Sequence, residues 1–316
     1  MGQIRKHPRA RNQEFIETLI EKANVFGARV FGQSDEFVAN FNACIACTTI
    51  VELESLALEH EIVQMEEWKH LDSVVPVFDI LWAAYPNISR AELMGILDWK
   101  RSDWKEAEYF LRDMVTGCAP IGIAYGPTYT LKTEAIREAI RLRFVATPEL
   151  EGAAHAKIAA YFLKVLKSAS APLSDYGRKN LVKHLVLSGD RDGVTDVLSD
   201  LRYLESRICA KEIDATLEDF AKAAAFLAES PAHLQKLEAF RRLFALNRIA
   251  LTIEGSAEGR LVQIAYNASA SGHLREAAEK ALAGKSAGSL QRIHGPTATR
   301  TLSPCRAILE PTAEEK

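Results

Sequence analysis

The sequence lacks the glycine-rich loops with which most nucleotide-binding enzymes hold phosphate groups. No Gly-x-x-x-x-Gly-Lys-Ser/Thr motif occurs, and no Gly-x-Gly-x-x-Gly motif follows a predicted strand. Gly284, Lys285 and Ser286 imitate the end of the first motif, but Glu279 stands where its upstream glycine is required. We recognise no assembled catalytic motif, so the sequence predicts neither an enzyme nor a bound cofactor.

Long apolar runs are missing as well. No stretch approaches the roughly 18 apolar residues of a membrane-spanning helix, and the first residues do not contain the apolar core of a signal peptide. Five cysteines without a framework spacing are typical of reduced thiols rather than of a disulfide scaffold. These features predict a cytoplasmic protein that makes no membrane contact.

The chain has no excess of basic residues. Its formal net charge is -3 over 316 residues, which gives no general attraction to nucleic acid or to an anionic membrane. A local basic cluster lies in residues 1–12, which contain a proline and no apolar pattern, and we interpret it as a flexible tail. Nucleic acid is therefore not the predicted partner.

The usual metal-ligand patterns are incomplete. Cys44 and Cys47 form one Cys-x-x-Cys, whereas a structural zinc site usually requires four ligands. His60 is not followed by the second histidine of a zinc-protease helix. We interpret both cysteines as small residues of a buried helix, and His155 and His184 as packing residues, so no metal site is predicted.

Helical periodicity, by contrast, runs through most of the chain, because apolar residues recur three and four positions apart. We predict a mainly α protein whose last segment has the Gly, Ser, Thr and Pro content of a linker. The predicted segments are a flexible basic tail (1–12), an N-terminal helical bundle (13–70), a winged-helix domain with a small β-wing (71–147), an antiparallel helix-pair solenoid forming an arm (148–283) and a linker-like tail (284–316).

Three helices followed by a β-hairpin predict the winged helix. The first helix starts at Leu71, and a capping box of Ser89 with Glu92 starts the second. Asp103 with Glu106 is predicted to start the third helix in the same way.

The wing is predicted around a Gly-Pro turn at residues 126–127. Gly117 is expected to end the third helix, and Thr133 to cap the helix after the wing. The two strands are predicted from the alternating apolar residues Ile121, Ile123, Tyr129 and Leu131.

Two glycines divide the predicted arm into helices. Gly189 and Gly193 are expected to break a helix, and the apolar stripe resumes at Val194 and continues through Leu201. A further helix begins near Ile213. Each helix has one apolar face that it cannot bury alone, so the helices are expected to stack.

The stretch YGRKNLVKHLVLSGDRDGVTDVLSDLRYLESR, residues 176–207, resembles the helical region of bacterial STAND-type signalling NTPases. Gly189 and the Tyr203-Leu204-Glu205 that closes the second predicted helix carry the resemblance. In that family a NACHT or NB-ARC ATPase leads through a winged helix and such helices into a WD-repeat propeller. The resemblance implies a non-enzymatic regulatory module, without the ATPase and the propeller, that is a truncated or split gene product. Its implied partner is an ATPase or a WD-repeat protein in trans.

Two sets of site residues follow, one from the resemblance and one from the polar face of the third predicted helix. A histidine that touches the nucleotide phosphate in the family is replaced here by Thr133, so nucleotide sensing is expected to be lost. The candidate interaction surface lies on the third helix of the winged domain and consists of Lys105, Glu106, Glu108 and Arg112.

Two alternatives remain open at this stage. The first is a winged-helix DNA-binding transcriptional regulator, which a basic surface of Lys100, Arg101, Lys105 and Arg112 would favour, although acidic residues on the same helix oppose a phosphate backbone. The second is a helical-repeat scaffold protein unrelated to NTPases, which a continuous concave groove along residues 149–283 would favour.

Overall fold

The computed structural model describes residues 46–67, 71–84, 87–111, 115–118, 128–168, 172–252, 259–268 and 271–283, together with Glu21 and Ala43. Within these ranges the chain forms fourteen helices and one small sheet, which confirms the predicted mainly α class. Both predicted tails and most of the predicted N-terminal bundle lie outside the described residues. The chain divides into two compact units, Met1–Tyr176 and Gly177–Lys316.

The described part of the first unit contains six helices and three short strands. In chain order they are α1 (Ile50–Glu67), α2 (Leu71–Ala83), β1 (Ile88–Ser89), α3 (Arg90–Leu97), α4 (Arg101–Leu111), β2 (Val115–Cys118), β3 (Thr128–Leu131), α5 (Glu134–Phe144) and α6 (Pro148–Ser168).

Side-chain caps determine where α3 and α4 begin. Ser89 Oγ accepts the backbone N–H of Glu92 at 3.2 Å, and Glu92 Oε2 accepts the N–H of Ser89 at 2.8 Å, which is the predicted capping box. Helix α4 begins at Arg101, two residues before its predicted start. The reason is that Asp103 Oδ2 accepts the N–H of Lys100 at 2.8 Å, so Asp103 lies inside the first turn.

The three strands are antiparallel, in the order β1-β3-β2. Ile88 pairs with Tyr129, and Val115 pairs with Leu131. The prediction that Gly117 ends a helix is wrong, because Gly117 lies within β2 opposite Tyr129. Val115 and the threonine after it are β-branched, and such residues favour extended backbone. The predicted strand residues Ile121 and Ile123 lie outside the described residues.

Helix α2 lies at the centre of the first unit and packs against both α5 and α6. The ring of Phe78 is fully buried and stacks on Phe144, with 5.1 Å between the ring centroids. Near the sheet, Trp104 of α4 packs on Tyr129 of β3 at 4.8 Å. Burial of each large apolar side chain stabilises the unit by roughly 1.5–3 kcal/mol, so this core holds the helices against the sheet.

The second unit is entirely helical in its described part. Its helices are α7 (Asp175–Leu187), which begins two residues before the division between the units, α8 (Arg191–Leu198), α9 (Leu201–Cys209), α10 (Ile213–Phe226), α11 (Pro231–Leu246), α12 (Arg248–Thr252), α13 (Arg260–Ala268) and α14 (His273–Ala283). Helices α8 and α10 both pack against α11, and α13 packs against α14 and α9. The buried rings of Phe220 and Phe244 join α10 to α11.

Gly189 ends α7, as predicted. Its φ is 78°, in the left-handed region that glycine adopts most easily. The N–H of Gly189 donates to the carbonyl of Val186 at 3.1 Å, and the N–H of Asp190 donates to the carbonyl of Leu185 at 3.0 Å. This pair of bonds is a Schellman motif, which closes a helix and turns the chain.

Two predicted helix boundaries in the second unit are wrong. Gly193 does not break a helix, because it lies in the first turn of α8 and donates its N–H to Asp190 Oδ1 at 2.8 Å. The helix predicted to run through Leu201 is two helices. Asp200 accepts the N–H of Arg202 at 2.8 Å and starts α9 there. The periodicity hides this break, since buried leucines lie three residues apart on its two sides.

None of the described helices has both the length and the apolar composition of a membrane-spanning helix.

Candidate functional site

The candidate interaction surface was predicted on the third helix of the winged-helix domain, which corresponds to α4 in the structure. Lys105 is exposed, whereas Glu108 is half-buried and its Oε1 accepts the hydroxyl of Tyr129 at 2.9 Å. Burial and the Glu108 carboxylate raise the pKa of Tyr129, so this hydroxyl stays protonated as a donor. The side chain of Glu106 and all of Arg112 lie outside the described residues. The structure thus leaves Lys105 at the surface and directs Glu108 toward β3.

The first turn of α4 is exposed and carries both signs of charge. Lys100, Arg101 and Ser102 are exposed. The carboxylate of Asp103 accepts hydrogen bonds from the N–H of Lys100 and the hydroxyl of Ser102, and these bonds lower the pKa of Asp103. The carboxylate of Asp103 is therefore part of the N-terminal cap of α4.

Thr133 is the N-cap of α5. Its Oγ1 accepts the N–H of Ile136 at 3.1 Å, and its φ of -139° is extended, as N-cap residues usually are. The side chain has a local structural role that explains why threonine is suitable here. It offers no ring nitrogen to a phosphate group.

No group of three or more His, Cys, Asp or Glu side chains is placed to hold a metal ion in the part of the chain that the structure describes. Cys47 Sγ donates to the carbonyl of Ala43 at 3.4 Å, and burial, with a smaller effect of Glu52, raises the pKa of the thiol. Its predicted neighbour Cys44 lies outside the described residues.

The two histidines that we interpret as packing residues are both buried. His155 of α6 packs beside Trp82, with 5.7 Å between the ring centroids. His184 of α7 has no exposed surface. These positions agree with packing roles for both residues.

A cluster of charged side chains is buried in the second unit, and the sequence patterns did not predict it. Arg207 of α9 is 1% exposed. Its Nη1 donates to the carbonyl of Arg178 at 2.7 Å, and its Nη2 donates to Asp219 Oδ2 at 2.9 Å. Its Nε lies 3.0 Å from Thr216 Oγ1 and 3.1 Å from Glu212 Oε2. We call Arg178, Arg207, Glu212 and Asp219 the charged cluster.

The charged cluster connects three helices. Arg178 of α7 donates through Nη2 to Glu212 Oε1 at 3.0 Å, and Arg207 of α9 contacts Asp219 of α10. Tyr203 adds a neutral link, because its hydroxyl donates to the carbonyl of Arg178 at 2.9 Å. Two cations face two anions, which is how buried charges are tolerated. Because its members bind one another, the cluster acts chemically as a junction between helices.

Burial changes the protonation of one member of the charged cluster. It raises the pKa of Asp219 from its ordinary 3.8 to about 6, and this effect outweighs the opposite influence of the Arg207 guanidinium. Burial also raises the pKa of Tyr203, which keeps its hydroxyl a donor at all ordinary pH values. The carboxyl of Asp219 therefore gains a proton in mildly acidic solution.

Three of the four residues that carry the sequence resemblance, Tyr203, Leu204 and Glu205, lie within α9 rather than at the end of a helix as predicted. Tyr203 bonds to the backbone of α7, and Leu204 is 1% exposed in the core. Glu205 is 5% exposed, and its Oε1 accepts the N–H of Val262 at 3.2 Å, in the first turn of α13. Glu205 thus connects helices that are more than fifty residues apart in sequence.

The charged cluster could have been suspected from one signal only. Arg207 lies on a helix face whose other members are apolar, four residues after Tyr203. An arginine on an apolar stripe indicates either a snorkelling side chain or a buried ion pair. The sequence does not choose between these two, because the partners lie on separate helices.

A scan of protein-family models finds no match for the chain, and searches of curated proteins and of solved structures find none either. What the chain does is therefore inferred from its own residues.

Proposed function

We propose that the chain is a non-enzymatic, cytoplasmic interaction module that couples proteins in signalling, with a winged helix over residues 71–147 and a helix-pair arm over residues 148–283. The observation that carries this proposal is the chain order α2-β1-α3-α4-β2-β3, in which the three strands form one sheet in the order β1-β3-β2. In a winged helix the short first strand follows the first helix and joins the edge of a later hairpin. The order of elements here agrees with that description.

The second unit supports an arm that transmits contact rather than a site that performs chemistry. The ion pairs of the charged cluster link helices α7, α9 and α10, and the hydrogen bond accepted by Glu205 links α9 to α13. Such cross-links suit an element that moves as a body. We infer the helix-pair arm of a STAND-type signalling NTPase, because two of the features that carry the resemblance also have structural roles: Gly189 ends α7, and Tyr203 and Glu205 link α9 to α7 and α13.

The proposed partner is a P-loop ATPase or a WD-repeat protein supplied in trans. Thr133 caps α5, so the proposal includes no nucleotide contact at that position. The part of the proposed surface that the structure describes is the exposed face of α4 around Lys105.

An affinity purification tests this function. The tagged chain is recovered from its native host at low and at high salt, and the bound proteins and nucleic acids are identified. We expect an ATPase or a WD-repeat protein at both salt concentrations, since apolar protein contacts survive salt whereas phosphate contacts weaken steeply. Recovery of neither protein at either salt concentration contradicts the proposal.

A pair of lysine variants gives the experiment an internal control. Lys105→Glu reverses a charge on the proposed surface, and we expect it to reduce partner recovery. Lys132→Glu makes the same change at another exposed lysine, after β3, and we expect it to retain the partner. Equal recovery with both variants argues against the α4 surface.

DNA binding is a second candidate function, favoured by one observation. Glu108, one of the carboxylates of α4 that would oppose a phosphate backbone, is half-buried and directed toward Tyr129. The exposed start of α4 then presents Arg101 and Lys105. Fluorescence anisotropy with a labelled duplex at about 50 and 200 mM salt tests this. Binding at the lower salt that Arg101→Glu removes supports it, and no binding at the lower salt excludes it.

A further inference from the structure

A groove of about 690 Å3 lies in the first unit, between the end of α3 and one face of α6. Its α6 side is formed by Lys157, Ala160, Tyr161 and Lys164, followed by a valine and a serine one turn further. These positions follow the i, i+3, i+4, i+7 spacing of a single helix face. At 1.5 Å per residue the face is about 16 Å long, or three helical turns. The groove is open along this length rather than enclosed.

Gly95 forms the opposite wall where α3 approaches α6. A Cβ atom at Gly95 would lie 2.5 Å from Cε2 of Tyr161, so the ring packs directly on the backbone of α3. Tyr161 is held from its other side by an edge contact with Phe162, with 5.0 Å between centroids. The groove is therefore lined by an aromatic ring that packs against Gly95, beside the small and exposed Ala160.

Two ammonium groups border this groove. Lys157 and Lys164 are exposed and seven residues apart, which is about 10.5 Å along α6. Lys164 makes no ion pair with any residue that the structure describes. Lys157 lies 3.9 Å from Asp79 Oδ2, a partly exposed pair of little net stability. Asp98, at the α3 end of the groove, adds one negative charge. Because positive and negative groups line the same groove, it favours a ligand with charges at defined positions over a uniformly negative polymer.

We propose that this groove binds an amphipathic helix of a partner protein, with acidic residues seven positions apart along one side of its apolar face. The inference deepens the proposed function and rests on it. Apolar residues of the partner at i, i+3 and i+7 would cover Tyr161 and Ala160, and carboxylates seven residues apart would reach Lys157 and Lys164. A three-turn contact buries a small area, so the complex is expected to be transient.

The test uses a display library of helical peptides about 16 residues long, selected against the full chain. We expect the selected peptides to carry acidic residues seven positions apart along one side of an apolar stripe. Their dissociation constants are then measured by fluorescence anisotropy. Lys164→Glu is expected to weaken binding at least about tenfold, because it reverses one charge contact of the pair. Lys167→Glu, on the same helix but outside the groove, is expected to change it less than about twofold.

A second variant separates steric from electrostatic effects. Ala160→Trp fills the groove without changing charge, and the alanine is exposed, so we expect the fold to persist. Its binding loss is expected to equal or exceed that of Lys164→Glu, and an unchanged circular dichroism melting curve identifies a folded variant. The proposal is overturned if no peptide is selected, if the peptides lack the acidic pattern, or if neither variant weakens them.

The outcomes also distinguish this inference from the proposed function. If an ATPase or WD-repeat partner is recovered from the host but binds the Ala160→Trp variant as well as the original chain, the groove is wrong and the function stands. If acidic helices bind the groove but the host yields neither partner protein, the function fails and the groove stands.

Discussion

In the first unit Glu92 is buried among neutral donors, whereas in the second unit Arg207 is buried among opposite charges. Glu92 accepts hydrogen bonds from the N–H of Ser89 and from the hydroxyl of Ser174. Arg207 contacts Glu212 and Asp219 directly. Both residues are almost fully buried, at 6% and 1% exposure. Removal of a partner of Glu92 therefore costs one hydrogen bond. Removal of a partner of Arg207 leaves a buried charge without its counterion.

This difference has an energetic consequence. A hydrogen bond to a charged group contributes about 1.5–3 kcal/mol, whereas removal of one member of a buried ion pair costs about 3–5 kcal/mol, since the other charge stays buried. The comparison predicts that loss of Arg207 is about twice as harmful as loss of a hydrogen bond to Glu92. All four tryptophans precede residue 105, so tryptophan fluorescence reports the first unit and far-ultraviolet circular dichroism reports both.

The largest effect is expected for Arg207→Met. The substitution retains an apolar stem but leaves Asp219 and Glu212 without their shared cation, so the free energy of unfolding is expected to fall by about 3–5 kcal/mol. Urea unfolding followed by circular dichroism measures the loss. Arg202→Met is the matched control on the same helix, where the arginine is 44% exposed and pairs with Asp200, and it is expected to cost less than about 1 kcal/mol. Equal losses would break the comparison.

The next effect is a pH dependence that Asp219 gives to stability. Its pKa is about 6 in the folded chain against an ordinary 3.8, so the folded state binds the proton more tightly than the unfolded state. The stabilisation is fully present below pH 3.8 and is lost as the pH rises through 6. At about 1.4 kcal/mol per pKa unit this amounts to roughly 2–3 kcal/mol.

Asp219→Asn tests this dependence because asparagine does not titrate. The unfolding free energies of the original chain and the variant are compared at a series of pH values from 4 to 7. Their difference is expected to move in favour of the variant as the pH rises. A difference that stays constant over the series means that Arg207 holds Asp219 ionised throughout.

A smaller effect is expected for Glu205→Ala. It removes the acceptor for the buried N–H of Val262, and an unsatisfied buried donor costs about 1–3 kcal/mol. Glu205→Gln retains an oxygen acceptor and is expected to cost less than half as much. Hydrogen exchange of the first turn of α13 provides the local measurement, and we expect the Val262 amide to exchange faster only in the alanine variant. Equal exchange in both variants would mean that Glu205 acts through its charge.

The smallest effect is expected for Ser89→Ala in the first unit, where loss of the cap to Glu92 is worth about 1 kcal/mol. Tryptophan fluorescence during urea unfolding measures it. Ser102→Ala removes a hydroxyl from the exposed start of α4 and is expected to change stability by less than about 0.5 kcal/mol. A loss at Ser89 as large as that of Arg207→Met would erase the distinction between the units.

Local signals in the sequence predicted the helix starts of the first unit best. Ser89 and Glu92 are three residues apart, and Thr133 precedes an apolar run, so both caps can be read from adjacent positions. Gly117 was misplaced because glycine ends many helices, while the β-branched residues before it carried the opposite signal. The short-range signals conflicted there, and the pairing with β3 decided the outcome.

Contacts distant in sequence could not be predicted in the same way. Arg207 and Arg178 are 29 residues apart, and Glu205 and Val262 are 57 apart. Periodicity predicts that each helix has a buried face, but it does not say which neighbour covers it. The candidate surface shows the same limit, since Glu108 was assigned to solvent until β3 brought Tyr129 beside it.

The turn that follows α9 gives the Arg207–Glu212 pair an entropic advantage. Lys211 adopts a left-handed φ of 61°, and the N–H of Glu212 donates to the carbonyl of Arg207 at 2.9 Å. The backbone therefore already holds the two residues together before their side chains meet 3.1 Å apart. A carboxylate tethered in this way experiences the guanidinium at a high effective concentration. Because the turn already fixes the backbone between the two residues, formation of the ion pair costs little additional conformational entropy.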